Sequence, residues 1–362
     1  MREQMKTSPT EFIEIPAGHL DTIELLPDEM TVAGWMLLPE EPFRRIEVSV
    51  AASPIGGVTF QERPDVAKVH PWISHAAHSG FSLHQRGRRP PSTSLTEIEV
   101  RGFCRSGRAV SMRTFAPPQH PNGLPVPPPD LFKMVGSPDA SSFISQGLKA
   151  FCDVTWAIRR FDDPARFRSV LDWGCGCGRL LAHLVPAFER AEFAGCDLVP
   201  RAIEWCRERF PEARFLCVGP EPPIGFETGS FDLIIGSSVF THLDRRFQRL
   251  WLAELARLLE PGGLLVASVL GDYAFLRDTR SSSRIQNLIR SHFPRRRLGK
   301  EGIIDEYHNR SLAGLVDPDF YRNTYQSAQY TLSEWTGDFQ VLAYIERGLD
   351  NYQDLVVLRR ET

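Results

Sequence analysis

The chain has 362 residues, of which 42% are hydrophobic and 24% charged, and this length and composition are typical of a globular protein with two domains. No apolar stretch reaches the length of a transmembrane helix, so we expect no membrane span. The N-terminus lacks a signal-peptide core, and the cysteine spacing favours no disulfide framework. We therefore expect a cytoplasmic protein. The formal net charge of −3 gives no overall attraction for nucleic acid, so we expect no nonspecific nucleic-acid binding.

The first part of the chain predicts antiparallel β-strands. Apolar and polar residues alternate in segments bounded by Gly, Pro and Ser, which is typical of half-buried strands. The predicted strands are Thr31 to Leu37, Arg45 to Val50, Gly57 to Phe60, Gly80 to Leu83, Thr96 to Phe103 and Ala109 to Phe115. This density of short strands favours a β-sandwich, and we assign residues 1–115 to an accessory domain of that kind.

Two further features concern this domain and the segment that follows it. His70, His75, His78 and His84 lie close together in sequence, but no cysteine or paired acid accompanies them at a zinc-site spacing, so we predict no metal site. Residues 116–130 contain seven prolines in fifteen positions, which predicts a stiff extended linker.

The remainder, residues 131–362, predicts an α/β domain. A helix from Ser141 to Arg160 precedes alternating strands and helices, a pattern that gives a doubly wound, mostly parallel sheet with ligands at the carboxyl ends of its strands. Two apolar runs at the end of the chain predict an antiparallel hairpin. Between the last parallel strand and this hairpin, we expect residues 271–337 to form a long, irregular insert.

The stretch from Arg168 to Arg179 predicts the ligand site. An apolar run ends at Asp172 and is followed by glycines at alternate positions, Gly174, Gly176 and Gly178, which predicts a strand, a tight turn and a helix start. The third glycine comes one residue too early for a dinucleotide fingerprint, and Asp172 would repel a pyrophosphate. A cofactor with a cationic amino group and no phosphate therefore fits this turn better.

These residues belong to an ordered series of motifs. V-L-D-W-G-C-G-C-G at 170–178, G-C-D at 195–197, F-D-L-I-I-G-S-S-V-F-T-H-L at 231–243 and L-A-R-L-L-E-P-G-G-L-L at 255–265 together resemble the class I S-adenosylmethionine-dependent methyltransferases. The resemblance covers residues 130 to 362, and it implies a seven-stranded Rossmann-like sheet with S-adenosylmethionine as cofactor. The tail, ending N-Y-Q-D-L-V-V-L-R, is similar to a bacterial group that accompanies glycosyltransferases, which implies polysaccharide modification.

The resemblance also implies the cofactor-binding residues. The glycine turn lies against the methionine and ribose, Asp172 lies near the amino group, and Asp197 holds the ribose hydroxyls. The implied set is Asp172, Gly174, Cys175, Gly176, Gly178, Asp197, Leu198, Gly219, Ser237, Ser238 and Val239. After the third strand the chain reads V-G-P-E-P-P without the Asp or Asn that would bind adenine, so either Glu221 or a backbone N–H takes that role.

The acceptor side depends on the loop after the fourth strand and on the insert. S-S-V-F replaces the signature of enzymes that methylate exocyclic amines and amides, so an oxygen acceptor is favoured. His242 is the predicted base because a neutral imidazole accepts protons near pH 7, with Asp305 as a competing base. Tyr321, Arg322 and Tyr325 of the insert are predicted to bind the acceptor.

The sequence therefore predicts a methyltransferase that forms a methyl ether on a sugar, a glycan or a hydroxylated small molecule. Transfer to nitrogen or to a carboxylate of another metabolite is the first alternative. The second is a catalytically inactive scaffold that binds S-adenosylmethionine. Because every cofactor motif follows Asp130, a fragment that begins there is expected to bind the cofactor without the N-terminal domain.

Overall fold

The computed structural model describes residues 10–13, 17–26, 28–87, 95–118, 123–281, 294–308 and 320–361. Within these ranges, no helix has both the length and the hydropathy needed to cross a membrane. Antiparallel sheets come first along the chain, and a larger mixed sheet with its helices follows.

The N-terminal part forms two four-stranded antiparallel sheets, a topology compatible with the predicted β-sandwich. One sheet has the order β2-β3-β7-β6 and the other β5-β4-β8-β9. Met30, Val32 and Phe81 of the first sheet pack with Val48 and Val100 of the second in one buried cluster. The elements are β1 (Glu11–Ile13), β2 (Ala17–Leu25), β3 (Glu29–Leu37), β4 (Phe43–Val50), β5 (Ser53–Ile55), β6 (Thr59–Gln61), α1 (Pro64–Val69), β7 (Gly80–Arg86), β8 (Thr96–Cys104) and β9 (Ala109–Ala116).

The C-terminal part is built on a mixed sheet with the order β1-β17-β18-β14-β13-β10-β11-β12. Strands β10 to β14 pair in parallel, and β18 is antiparallel to both β14 and β17, which confirms the predicted closing hairpin. The strands after the linker are β10 (Ser169–Trp173), β11 (Glu192–Asp197), β12 (Arg214–Cys217), β13 (Phe231–Gly236), β14 (Leu259–Val269), β15 (Ile303–His308), β16 (Arg322–Gln326), β17 (Phe339–Leu349) and β18 (Gln353–Arg360).

The sheet has eight strands in the described residues, one more than predicted, because β1 joins it. This strand pairs in parallel with β17, with Phe12 opposite Tyr344. Glu11–Ile13 therefore lies in the larger sheet, whereas the sequence analysis assigned all of residues 1–115 to the sandwich. The strand covers the open edge of β17, which would otherwise expose unpaired backbone groups.

Helices cover both faces of the mixed sheet. Neighbouring residues of β10 point to opposite faces, so Val170 packs with Val154 of α3 and Leu171 packs with Trp251 of α6. The helices are α2 (Pro129–Met134), α3 (Ala140–Arg159), α4 (Leu181–Ala187), α5 (Pro200–Arg209), α6 (Arg245–Leu258), α7 (Asp272–Ser281), α8 (Pro294–Glu301) and α9 (Ala328–Glu334).

Helix α3 connects the two parts of the molecule. The Nζ atom of Lys149 lies 3.2 Å from a carboxylate oxygen of Asp21 in β2, and the Cys152 thiol donates to the Phe115 carbonyl at the end of β9. The division at residues 116–130 stays a prediction, but the N-terminal antiparallel sheets pack directly against the α/β part.

The described segments of the insert are regular rather than irregular. Residues 282–293 and 309–319 lie outside the described residues, and the other segments contain α7, α8, the antiparallel pair β15 and β16, and α9. Leu298, Ile304 and Tyr325 from this insert pack with Phe275 in a small buried cluster. The apolar residues here are too widely spaced in sequence for their periodicity to reveal this cluster.

Candidate active site

The predicted glycine turn lies between β10 and α4. Gly174, Gly176 and Gly178 have φ values of 77°, 54° and 79°, a backbone conformation that glycine adopts without a Cβ clash. The N–H groups of Gly174 and Cys175 donate to the Cys196 carbonyl at 2.9 and 3.0 Å. The turn is therefore fixed against the end of β11.

Gly174 and Gly176 line a cavity of about 620 Å³. A Cβ atom on Gly174 would lie 2.3 Å from Cγ2 of Val239, which also lines the cavity. A Cβ atom on Gly178 would instead lie 2.6 Å from the Phe210 ring at the end of α5. Gly178 therefore allows close packing on α5 rather than the predicted contact with the cofactor.

Asp197 lines the cavity at the end of β11. Its two carboxylate oxygens accept hydrogen bonds from the N–H groups of Gly176, at 2.8 Å, and Val199, at 3.0 Å. Burial raises the pKa of Asp197, and these hydrogen bonds act in the opposite direction. Each carboxylate oxygen keeps a further lone pair, so Asp197 can still accept from ligand hydroxyls.

Asp172 is almost fully buried, with 2% of its surface exposed. Its Oδ2 atom has no hydrogen-bond partner among the described residues. Burial, and next the nearby charge of Asp197, raise its pKa to about 7. Because an unpaired buried acceptor is unfavourable, a ligand donor or cation beside Asp172 would be stabilised.

The loop after β13 forms another wall of the cavity. Ser238 has a positive φ of 60°, and its N–H donates to Oγ of Ser268 at 2.7 Å. Its own hydroxyl accepts from Nε2 of Gln353 at 2.8 Å. The predicted residues that line the cavity are Gly174, Gly176, Asp197, Leu198, Ser237, Ser238, Val239, His242 and Tyr321. The predicted cofactor residue Asp172 is not part of the lining.

His242 ends the short 3₁₀ turn after this loop. Its Nδ1 atom lies 2.8 Å from the Arg322 carbonyl. Because a carbonyl can only accept, Nδ1 carries the proton and Nε2 carries the free electron pair. The ring stacks on Tyr321 with centroids 4.1 Å apart. Burial lowers the pKa of His242 to about 4, although the Arg322 carbonyl acts in the opposite direction, so the ring is neutral at pH 7.

The other predicted acceptor residues lie outside the cavity lining. Asp305 forms an ion pair with Arg245 at 3.0 Å and accepts the Arg245 N–H at the start of α6. The Arg322 side chain donates to the Asp305 carbonyl, and the Tyr325 hydroxyl donates to Asp278 at 2.8 Å. These polar groups of the insert contact one another and α6, and of the predicted acceptor-side residues only His242 and Tyr321 line the cavity.

Three further assignments differ from the geometry. Cys175 is buried beneath the glycine turn, and a Cβ atom on Gly219 would have no atom within 4 Å; neither residue lines the cavity. Glu221, the candidate for the adenine contact, pairs with Arg246 at the surface and does not line the cavity. Apolar side chains line the cavity beside β11 and β12, namely those of Leu198 and Val218, with Trp251 from α6.

Sequence reasoning missed the cationic and C-terminal parts of the lining. Arg179 lines the cavity and donates from Nη1 to the Val135 carbonyl at 3.0 Å and to Gln146 at 2.8 Å. Burial lowers the pKa of Arg179, and the charges of Asp350 and Asp172 act in the opposite direction. Arg179 directly follows Gly178 in the sequence, so its place beside the glycine turn could have been predicted. The turn from Leu349 to Gln353 also contributes to the lining, without a sequence signal beyond a polar loop.

Residues 170–263 match the family model described as "Methyltransferase domain". Malonyl-[acyl-carrier protein] O-methyltransferase of Hahella chejuensis is 32% identical over 104 residues, which are 28% of this chain and 37% of that protein. Fatty-acid O-methyltransferase of Mycolicibacterium smegmatis is 35% identical over 97 residues, 26% of this chain and 35% of that protein. The chain thus spans well under half the length of either relative.

The comparison with solved structures gives matches at low identity. N-methyltransferase NodS from Bradyrhizobium japonicum in complex with S-adenosyl-L-homocysteine is 16% identical, with a TM-score of 0.37, covering 58% of this chain and 84% of that chain. A methyltransferase from Methanosarcina mazei is 17% identical, with a TM-score of 0.41, covering 57% of this chain and 97% of that chain.

Proposed function

We propose that this protein, which carries a methyltransferase domain with S-adenosylmethionine as cofactor, transfers a methyl group to an oxygen atom of a small molecule or glycan. The names of two relatives specify O-methyl transfer, which supports oxygen as the acceptor atom. Within this class we propose a hydroxyl acceptor, as on a sugar, because a neutral imidazole lies at the cavity.

The residues of the cavity are suited to the cofactor. Asp197 keeps acceptor capacity for ribose hydroxyls. Asp172 does not line the cavity, but its carboxylate comes one residue before the lining residue Trp173, and its negative charge would attract an amino group bound there. Gly174 and Gly176 leave open the space that a Cβ atom would occupy. Leu198 and the other apolar side chains beside β12 would pack against the adenine ring of the cofactor.

The chemistry requires little of the chain. When bound, S-adenosylmethionine supplies a methyl group already activated by its sulfonium, so orientation and exclusion of water provide much of the rate. His242 would accept the hydroxyl proton at Nε2 while the acceptor oxygen forms its bond to the methyl carbon. The bond from that carbon to the sulfonium sulfur would break at the same time, and its electron pair would leave with the sulfur as a neutral thioether. The Arg322 carbonyl holds the tautomer that leaves Nε2 free for this step.

The lowered pKa of His242 favours a second candidate, methylation of a carboxylate. A base with a pKa of about 4 accepts a hydroxyl proton with a small driving force, because the best catalytic pKa lies near the working pH. An ionised carboxylate needs no base. The name of the relative from Mycolicibacterium smegmatis, a fatty-acid O-methyltransferase, supports methylation of a carboxylate.

An assay with methyl-labelled S-adenosylmethionine tests the proposal. Hydroxylated sugars and fatty acids are offered in parallel, and acceptors from the cell are identified by mass spectrometry of glycans and metabolites with and without the gene. In cells without the gene, we expect one hydroxylated compound to be lighter by the mass of one methylene group, because its hydroxyl oxygen carries hydrogen instead of a methyl group. A missing methyl ester would support the carboxylate candidate instead, and cofactor binding without turnover on any acceptor would leave the scaffold alternative.

A further inference from the structure

The turn between β17 and β18 forms one wall of the cavity. Leu349, Asp350, Tyr352 and Gln353 line the cavity, whereas the intervening Asn351 does not. Asp350 and Asn351 have positive φ values of 53° and 50°. Non-glycine residues keep this conformation where their surroundings hold it, so the contacts around the turn determine the shape of the wall.

Strand β2 of the sandwich holds the tip of this turn. The Asn351 amide donates to the Gly18 carbonyl at 2.7 Å and accepts from the Gly18 N–H at 3.2 Å. Its side chain is buried, so these two hydrogen bonds are shielded from water. They pair the amide with one backbone residue of β2 as a neighbouring strand would.

Charged groups surround the neighbouring residue Asp350. Nε2 of His19 in β2 lies 3.3 Å from Oδ1 of Asp350. The Asp350 N–H donates to Asp153 of α3 at 2.8 Å. Both the sandwich and α3 therefore contact the residue that presents a half-exposed carboxylate to the cavity.

The other end of the turn is connected to the loop after β13. Gln353 donates to the Ser238 hydroxyl at 2.8 Å and accepts from Ser268 at 2.7 Å. Ser238 itself lines the cavity. Hydrogen bonds on both sides of the turn thus join Gly18 of the sandwich to a predicted cofactor-binding loop.

We propose that strand β2 of the N-terminal sandwich positions the turn from Leu349 to Gln353, and that cofactor affinity depends on this contact between the two parts of the chain. The inference rests on the proposed function for the identity of the cofactor. It gives the sandwich a positioning role at the site, and it opposes the sequence-based expectation that a fragment beginning at Asp130 binds the cofactor unaided.

Calorimetry with S-adenosyl-L-homocysteine on the full chain tests this inference. Asn351→Ala should raise the Kd by about 5- to 150-fold, the usual range of coupling between two sites. Asp21→Asn is the matched control, because Asp21 also lies in β2 and contacts α3 but does not touch the turn; its Kd should equal that of the wild type. Amide hydrogen exchange should accelerate in the turn of Asn351→Ala only.

Each result supports or overturns the inference. A folded Asn351→Ala that binds S-adenosyl-L-homocysteine as tightly as the wild type overturns it while leaving the proposed function intact. A wild-type protein that does not bind this ligand overturns both. If Asn351→Ala does not fold, His19→Ala and His19→Gln decide: affinity should fall in the first and recover in the second, since a glutamine amide can donate to Asp350. Equal affinity in both overturns the inference.

Discussion

Gly174→Ala is the most direct test of the cofactor site. The new Cβ atom would lie 2.3 Å from Cγ2 of Val239, and the backbone would keep a φ of 77°. The backbone strain, about 1–2 kcal/mol for an L-residue, acts with and without ligand and therefore lowers stability. The clash, about 1–3 kcal/mol for added volume in a packed site, can relax in the free protein because Val239 borders the cavity.

A bound cofactor would remove this relaxation, so the energy of the clash appears in the affinity. At 1.4 kcal/mol for each tenfold change, about 1–3 kcal/mol corresponds to a rise in Kd of about 5- to 150-fold. Calorimetry with S-adenosyl-L-homocysteine measures it, and thermal unfolding measures the strain separately. Gly219→Ala is the control, because its Cβ atom would meet nothing within 4 Å. A folded Gly174→Ala with wild-type affinity would refute our placement of the cofactor.

Three further predictions concern titratable groups. His242→Ala should lower kcat on a hydroxyl acceptor by about 10²-fold, the usual scale for a lost base, with little change in cofactor affinity; steady-state kinetics with the identified acceptor measures it. Because the pKa of Asp172 is raised to about 7, its ionisation costs stability as pH rises through that value, so Asp172→Asn should raise the Tm of the ligand-free protein at pH above about 7. In the wild type, the affinity for S-adenosyl-L-homocysteine should rise as pH rises through about 7, because Asp172 becomes ionised. Calorimetry measures this rise, and Asp172→Asn should lack it. Asp305→Asn should lower the Tm through lost contacts to Arg245 and leave that affinity unchanged.

The sequence was most informative where one local interaction determines the structure. The alternate glycines require positive φ, and the turn has it at all three. The alternation of strands and helices was predictable from the apolar segments, because the central strands of the mixed sheet bury both faces. The same local reasoning could not assign directions within the turn. Gly178 faces Phe210 because α5 packs there, and this is a tertiary contact.

The polar residues of the insert show the opposite limit. Asp305 and Tyr325 have the functional groups that an acceptor pocket needs, and they use them on Arg245 and Asp278. A sequence records that a residue can donate or accept, but the partner is selected by the packing of distant elements. His242 was predictable because its position after β13 places it at the carboxyl edge of the sheet, where ligands bind in such folds.

The charges around the cavity bear on the two acceptor candidates. Asp197 and Asp350 line it, and the contact with His19 lowers the pKa of Asp350 against the effect of burial, so Asp350 is ionised at neutral pH. The half-buried Arg179 and the exposed Lys133 also line the cavity, and the Arg179 guanidinium already donates to neutral groups. An acceptor that brings its own negative charge would meet repulsion from Asp350, whereas hydroxyl groups could donate to the same carboxylate. Asp350 therefore supports the proposed hydroxylated acceptor, whereas the lowered pKa of His242 supports the alternative acceptor that needs no base.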